Sequence, residues 1–254
     1  MIKERIEDNI LIATLTDGKT NAIDFDTLKQ INECVEKVNN QEELKGLVLT
    51  GEGRFFSSGF HLPMFLGFKD LDEVVDFFNQ EEDFLVNYFM CKKPVVCAMN
   101  GHSAAAGLIF AMASDYRIVT DHPKVKLGMS EIKIGLPLSI AQSQVMRFGL
   151  DSDRKFRDIM YFGDMYSPEK SKELGIVDEV VAADDLEKRA KDIVSLWIDT
   201  PGRPFIKLKE VMKKEYAEKI QKKLKEENWQ EGMNCFFEKN VRDILTLVQA
   251  GLEK

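Results

Sequence analysis

Short apolar runs that stop at glycine or asparagine and hand over to amphipathic helices recur along this chain, and that alternation constrains its fold more than any other feature. Ile10 to Thr16 reads as a strand closed by Asp17-Gly18, and Leu44 to Thr50 as a second ending at Gly51-Glu52-Gly53. Pro94 to Met99, stopped by Asn100-Gly101, reads as a third, with Tyr116 to Thr120 and Val125 to Leu127 as two more. Between them lie helical patterns. One opens at Asp24-Phe25-Asp26 and places Leu28, Ile31 and Val35 on one face; a second runs from Leu71 to Met90 with Val74, Phe77, Phe78, Phe84 and Leu85 inward. A third, rich in alanine, covers Ala104 to Ala113. Strands separated by helices imply an α/β fold around a mostly parallel sheet.

The last third changes character. After a strand over Val177 to Val181, helices are expected at Asp184 to Ile198, Phe205 to Asn228 and Gly232 to Leu252, the first stopped by Thr200-Pro201-Gly202. The lysine pairs Lys213-Lys214 and Lys222-Lys223 read as solvated helix faces.

With 254 residues, 44% of them hydrophobic, the chain can bury a full core. No stretch approaches the roughly 18–20 unbroken apolar residues that cross a bilayer, so no membrane partner is expected. The N-terminus lacks a signal-like apolar core, and the C-terminus carries neither a Ser-Lys-Leu address nor a lipidation box; a cytoplasmic protein is the expectation. Cys34, Cys91, Cys97 and Cys235 form no Cys-x-x-Cys pair and read as reduced thiols. A net charge of −8 argues against a nucleic-acid surface but leaves room for a phosphate-bearing ligand held by a few local cations. His61, His102 and His122 lack metal-ligand spacing, and no metal site is expected.

Two loops carry the chemistry. Phe55-Phe56-Ser57-Ser58-Gly59-Phe60-His61-Leu62 and Asn100-Gly101-His102-Ser103-Ala104-Ala105-Ala106-Gly107-Leu108 both end a strand in small residues before a helix pattern. Small residues admit a ligand to the main chain, and a helix start offers unpaired N–H donors. Two such donors on one oxygen make an oxyanion hole. The alternative is that small residues serve only tight helix–strand packing.

The pair of loops, taken with three further segments in order, resembles the enoyl-CoA hydratase/isomerase (crotonase) family. Those segments are Asn21-Ala22-Ile23-Asp24, Leu127-Gly128-Met129-Ser130-Glu131-Ile132-Lys133-Ile134-Gly135-Leu136, and Gly163-Asp164 on through Ser171 to Asp178. The resemblance spans roughly residues 8–240. It implies a spiral of β-β-α units over residues 1–195 and a C-terminal helical oligomerisation region over 196–254, forming homotrimers or hexamers. It also implies an acyl-coenzyme A thioester as substrate, with no cofactor beyond the coenzyme A that the substrate carries. The two amides are then those of Phe60 and of Ala106, where the family usually has glycine; alanine keeps its N–H.

The resemblance implies more about the acid. The family's hydratases use two glutamates, and the matching positions here are Ile109 and Glu131. Isoleucine cannot hold a water, so hydration is disfavoured. One carboxylate suits a different reaction, removal of a proton from C2 of a 3-enoyl thioester and its return at C4, as in the Δ3,Δ2-enoyl-CoA isomerases of fatty acid β-oxidation. Ser114 to Val119 and Gly128 to Glu131 are similar to that branch. Ile109 and Leu136 should raise the Glu131 pKa. Lys19, Ala22, Ser57, Ser58, Leu62, Ile109, Leu136 and Lys239 are the expected substrate contacts, with Lys19 and Lys239 directed at the coenzyme.

Three other readings stand beside this one. A dehalogenase-like branch needs an aspartate where Ser139 and Ile140 stand. Thioester hydrolysis, decarboxylation or weak hydration would reuse the same hole. A silent CoA-binding protein would need no Glu131.

Overall fold

The computed structural model describes residues 1–252. Its organising unit is a pair of strands followed by a helix. β1 (Ile2–Glu7) and β2 (Ile10–Leu15) form an antiparallel hairpin that leads into α1 (Phe25–Asn40). β3 (Gly46–Gly51) and β4 (Phe55–Ser57) lead into α2 (Leu62–Gly67) and α3 (Leu71–Phe89). β5 (Val95–Met99) and β6 (His102–Ala104) lead into α4 (Ala106–Ala113). β7 (Tyr116–Thr120) and β8 (Leu127–Gly128) lead into α5 (Glu131–Ile134), α6 (Ile140–Gly149) and α7 (Asp153–Phe162). β9 (Met165–Tyr166), α8 (Pro168–Glu173) and β10 (Glu179–Val181) complete the sheets.

From β3 onward, the first strand of each pair joins one sheet and the second joins another. The larger sheet has the order β1-β2-β3-β5-β7-β10, parallel apart from the first hairpin; the smaller has the order β4-β6-β8-β9, with β4, β6 and β8 parallel. Each turn of chain therefore adds one strand to each sheet, and the chain advances as a spiral.

Both faces of β2, β3 and β5 in the larger sheet are covered, which is why these strands read as continuous apolar runs. Ile10, Ile12, Val48, Val96 and Ile118 pack on Leu186, Ala190, Ile193 and Val194 of α9 (Leu186–Ile198). Leu11, Ala13, Leu15, Leu47, Leu49, Val95 and Cys97 face the main core with α1, α3 and α4. The alternation along β2 is the period-two register of a strand.

α10 (Pro204–Glu226) corrects one expectation. Lys214 and Lys222 are solvated, but Lys213 is fully buried. Its ammonium pairs with Asp115 at 2.7 Å, donates to Ala113 O and lies over the Phe89 ring. Lys209 meets the same carboxylate at 2.5 Å. Burial works against the Asp115 charge, but the two ammoniums outweigh it and hold the carboxyl below its usual range. α10 is thereby riveted to the start of β7.

A second correction falls on the expected helix over Gly232 to Leu252. A 3-10 segment, Gln230–Phe237, comes first, and α11 (Lys239–Leu252) starts only after it. The short α2 and the pair α6 and α7 carry no expectation from the periodicity. Among the described residues no helix is long and apolar enough to cross a membrane.

Candidate active site

Three adjacent parallel strands of the smaller sheet each run out into one of the residues singled out by the sequence. β4 leads to Gly59 and Phe60, β6 to Ala105 and Ala106, and β8 to Ser130 and Glu131. The carboxyl ends of neighbouring parallel strands lie together, where α/β folds gather ligand-binding groups.

Phe60 makes a single parallel bridge with Ile23, in which Ile23 donates to Gly59 O at 2.8 Å and His61 donates to Ile23 O at 2.9 Å. The residues flanking Phe60 make those bonds, so its own N–H points to the opposite side. Ala106 is the first residue of α4, and an amide in the first helical turn has no intrahelical acceptor. Gly59 brings the two together. A Cβ placed on it would fall 2.6 Å from the Ala105 Cβ and 3.4 Å from the Ala106 nitrogen.

The backbone here is held in unusual conformations. Gly59 has φ +103°, and Ala105 has φ +52° with ψ −127°, a region that favours glycine. Ala105 N–H donates to Gly128 O at 3.3 Å, and Ile109 N–H donates to Ala105 O at 3.0 Å, fixing it from both sides. Ser57 is fully buried and its Oγ accepts the Gly59 N–H at 3.1 Å, so its side chain shapes the turn. The Ser58 hydroxyl is buried without a hydrogen-bond partner among the described residues.

Glu131 opens the four-residue α5, which Gly135 closes in the left-handed conformation. Its side chain is buried, and Oε2 has no hydrogen-bond partner among the described residues. Burial raises its pKa to about 7, with its own backbone N–H opposing. A lone buried carboxyl is costly to keep, and such perturbed groups cluster at functional sites. Ile109, one turn into α4, and Leu62 and Leu136 are all buried; Leu136 N–H donates to Glu131 O at 3.1 Å.

Beside the start of β4 lies an open groove of about 530 Å³ lined by Thr16, Lys19, Asn21, Glu52, Arg54 and Phe55 among others. Asn21 builds its wall. Its amide donates to Glu52 O and Phe55 O, and its Oδ1 accepts from Asp17 N–H. Asp24 then caps α1 through the Thr27 N–H. Ala22 is buried beside the Ile23–Phe60 bridge. Lys239 stands apart, almost fully exposed on α11 with its ammonium 2.6 Å from Asp243. His61 sits at the start of α2 and makes no side-chain cap bond.

Two groups escaped the sequence reading. Glu81 and Glu82 of α3 are buried with no ion-pair partner among the described residues, and both are shifted upward by burial. Glu82 accepts the Ile140 and Ala141 N–H groups at 2.7 Å, and Glu81 meets Ser139 and Gln142, so the pair caps α6. The available signal was their place on the Phe77, Phe78 and Leu85 stripe. Arg242 of α11 donates to Leu66 O at 2.6 Å and ties the end of α2 to the C-terminal helix.

Residues 5–242 match a family model described as enoyl-CoA hydratase/isomerase. The chain is 25% identical to mouse "Enoyl-CoA delta isomerase 1, mitochondrial" over 83% of its own length and 73% of that protein. It is 32% identical to "Enoyl-CoA delta isomerase 3" of Arabidopsis thaliana over 74% of its own length and 79% of that protein. It is also 22% identical to a "Probable enoyl-CoA hydratase" of Bacillus subtilis, over 92% of this chain and 94% of that protein. The fold matches the crystal structure of human mitochondrial delta3-delta2-enoyl-CoA isomerase with a TM-score of 0.89, at 19% identity, covering 99% of this chain and 98% of that one. The expected spiral α/β fold is thereby borne out.

Proposed function

Because the chain belongs to the enoyl-CoA hydratase/isomerase family, we propose that it moves the double bond of a 3-enoyl-CoA to the 2-position. The observation that carries this reading is Glu131, one buried carboxyl whose Oε2 has no hydrogen-bond partner among the described residues, just after β8 in the same sheet as β4 and β6, which lead to the Phe60 and Ala106 amides, with Ile109 where a second acid would be needed.

The thioester oxygen accepts the N–H groups of Phe60 and Ala106. As carboxylate, Glu131 takes a proton from C2; the C2–H electron pair moves into conjugation with the carbonyl, and the resulting negative oxygen is stabilised by the two amides. Glu131 then delivers the same proton to C4 while the 3,4 double bond becomes a 2,3 double bond. Atoms balance with no second reactant. The pKa near 7 keeps the carboxyl able both to accept and to return the proton.

The groove beside Lys19 and Arg54 receives the coenzyme, whose phosphates those cations would meet. Exposed Leu196, Leu208, Val211 and Met212 on α9 and α10 support self-association, in keeping with the homotrimer or hexamer expected from the family resemblance.

The test is conversion of 3-hexenoyl-CoA, followed by the absorbance of the conjugated product, with release of free thiol and addition of water monitored in parallel. Isomerisation that disappears in Glu131→Gln, with binding of a saturated acyl-CoA retained, supports the reading. Hydration or thiol release as the main reaction sinks it.

A further inference from the structure

The face of the larger sheet that packs on α9 turns from apolar to polar at the carboxyl ends of its strands. Ile10, Ile12 and Val48 meet α9, and the next residues on the same face are Thr14 and Thr50. Lys3 of β1 stands opposite Thr14, and Thr14 opposite Thr50, so the three side chains form one row. Between this row and the start of α9 lies a cavity of about 360 Å³, whose wall includes Lys3, Thr14, Thr50, Glu52, Asn100 and Leu186.

Two buried polar atoms on that wall are orphaned. Thr14 is 8% exposed, and its Oγ1 has no hydrogen-bond partner among the described residues. The Asn100 amide nitrogen donates to Gly53 O at 2.9 Å, but its buried Oδ1 has no partner among the described residues. Gly51 leaves room for that oxygen, since a Cβ there would fall 2.7 Å from it. Thr50 differs, because its hydroxyl donates to Ala98 O at 2.7 Å. An orphaned buried hydroxyl or amide oxygen is costly unless something meets it.

The charges on the wall divide in two. Arg5 pairs with Glu7 at 2.9 Å and also with Glu187, so these side chains satisfy one another. Lys3 and Glu52 have no ion-pair partner among the described residues, and they leave one cation and one anion facing the cavity. Lys3 lies two strands away from β3, which Glu52 follows, a backbone separation of about 10 Å.

We infer that this cavity binds a small zwitterion of amino-acid size. Its carboxylate meets the Lys3 ammonium and accepts the Thr14 hydroxyl, and its ammonium meets Glu52 and donates to Asn100 Oδ1. A simple anion would leave Glu52 opposing it, and a simple cation would leave Lys3 doing so. Glu52 also borders the coenzyme groove, whereas Lys3 and Thr14 belong to this cavity and not to that groove. The site is separate from the Phe60 and Ala106 amides and needs no thioester.

Equilibrium dialysis of the full chain against radiolabelled 4-aminobutyrate, with no acyl-CoA present, tests the inference. Saturable binding in the millimolar range or tighter is expected, with butyrate and butylamine each competing at least about tenfold more weakly, as loss of one charge-assisted contact requires. Lys3→Gln should weaken binding about tenfold, and the isosteric Thr14→Val about fivefold. Butyrate competing as well as 4-aminobutyrate would reduce the cavity to a plain anion site and overturn the inference. So would binding unchanged in both variants, or no binding up to roughly 20 mM, a concentration far above a millimolar Kd. The competition and the wild-type titration need no variant to fold.

Discussion

Ala105 and Gly59 meet where the two amides converge, and each requires the other to be small: a Cβ on Gly59 would lie 2.6 Å from the Ala105 methyl. Gly59→Ala would also place a side chain at φ +103°. It should cost about 10²–10³ in kcat, the loss expected when an oxyanion donor is displaced. Steady-state kinetics on the variant checks this. Ala105→Gly should instead raise stability by about 1–3 kcal/mol, because Ala105 occupies a glycine conformation. A urea melt reads that gain.

The rate should depend on pH through one carboxyl. Glu131 must be ionised to take the C2 proton, and its pKa is pushed up to about 7. kcat/KM should therefore rise through about pH 7 and level off above it. A profile already flat from pH 5 would separate Glu131 from the proton transfer.

The same burial makes Glu131 a stability liability. Its folded pKa exceeds the ordinary 4.5, so between those values the folded state holds more protons than the unfolded state. Stability accordingly falls as pH rises from about 4.5 to about 7 and stays low above. Glu131→Gln removes this and should gain on the order of 3 kcal/mol near pH 8 with little gain near pH 4.5, while losing about 10²–10⁴ in rate. Denaturant melts at the two pH values measure the difference.

Asp115 anchors α10 from below. Asp115→Asn would leave Lys209 and Lys213 as buried cations without a counter-charge. The expected loss is about 3–5 kcal/mol, against near neutrality if the whole trio is replaced by apolar residues of similar volume. Chemical denaturation of both variants separates the two cases.

What the sequence made legible follows from how each element is stabilised. β2, β3, β5, α1 and α3 owe their form to continuous apolar runs or a single buried stripe, and both patterns survive in one dimension. α2 was illegible because it is only six residues long and leans on Phe236 and Arg242, far away in the chain. The break between the 3-10 segment and α11 falls within a pattern that looks continuously helical. Lys213 and Glu81 mislead for one reason: their partners, Asp115 and Ser139, are about 100 and 58 residues distant. At the site, residues 55–62, 100–108 and 127–136 are marked by small residues and family pattern. That they converge is a property of the sheet, with Ser103 beside Leu127 and Ser57 beside Ser103.

The two-sheet spiral has a consequence for how such a protein can change. Phe60, Ala106 and Glu131 are delivered by three successive windings, each braced by its own helix. A substitution within one winding, such as at Ile109 in α4, would change what surrounds the strand ends and leave the other two deliveries in register. The frame is thus indifferent to the reaction it hosts, and new activities can be reached one strand end at a time.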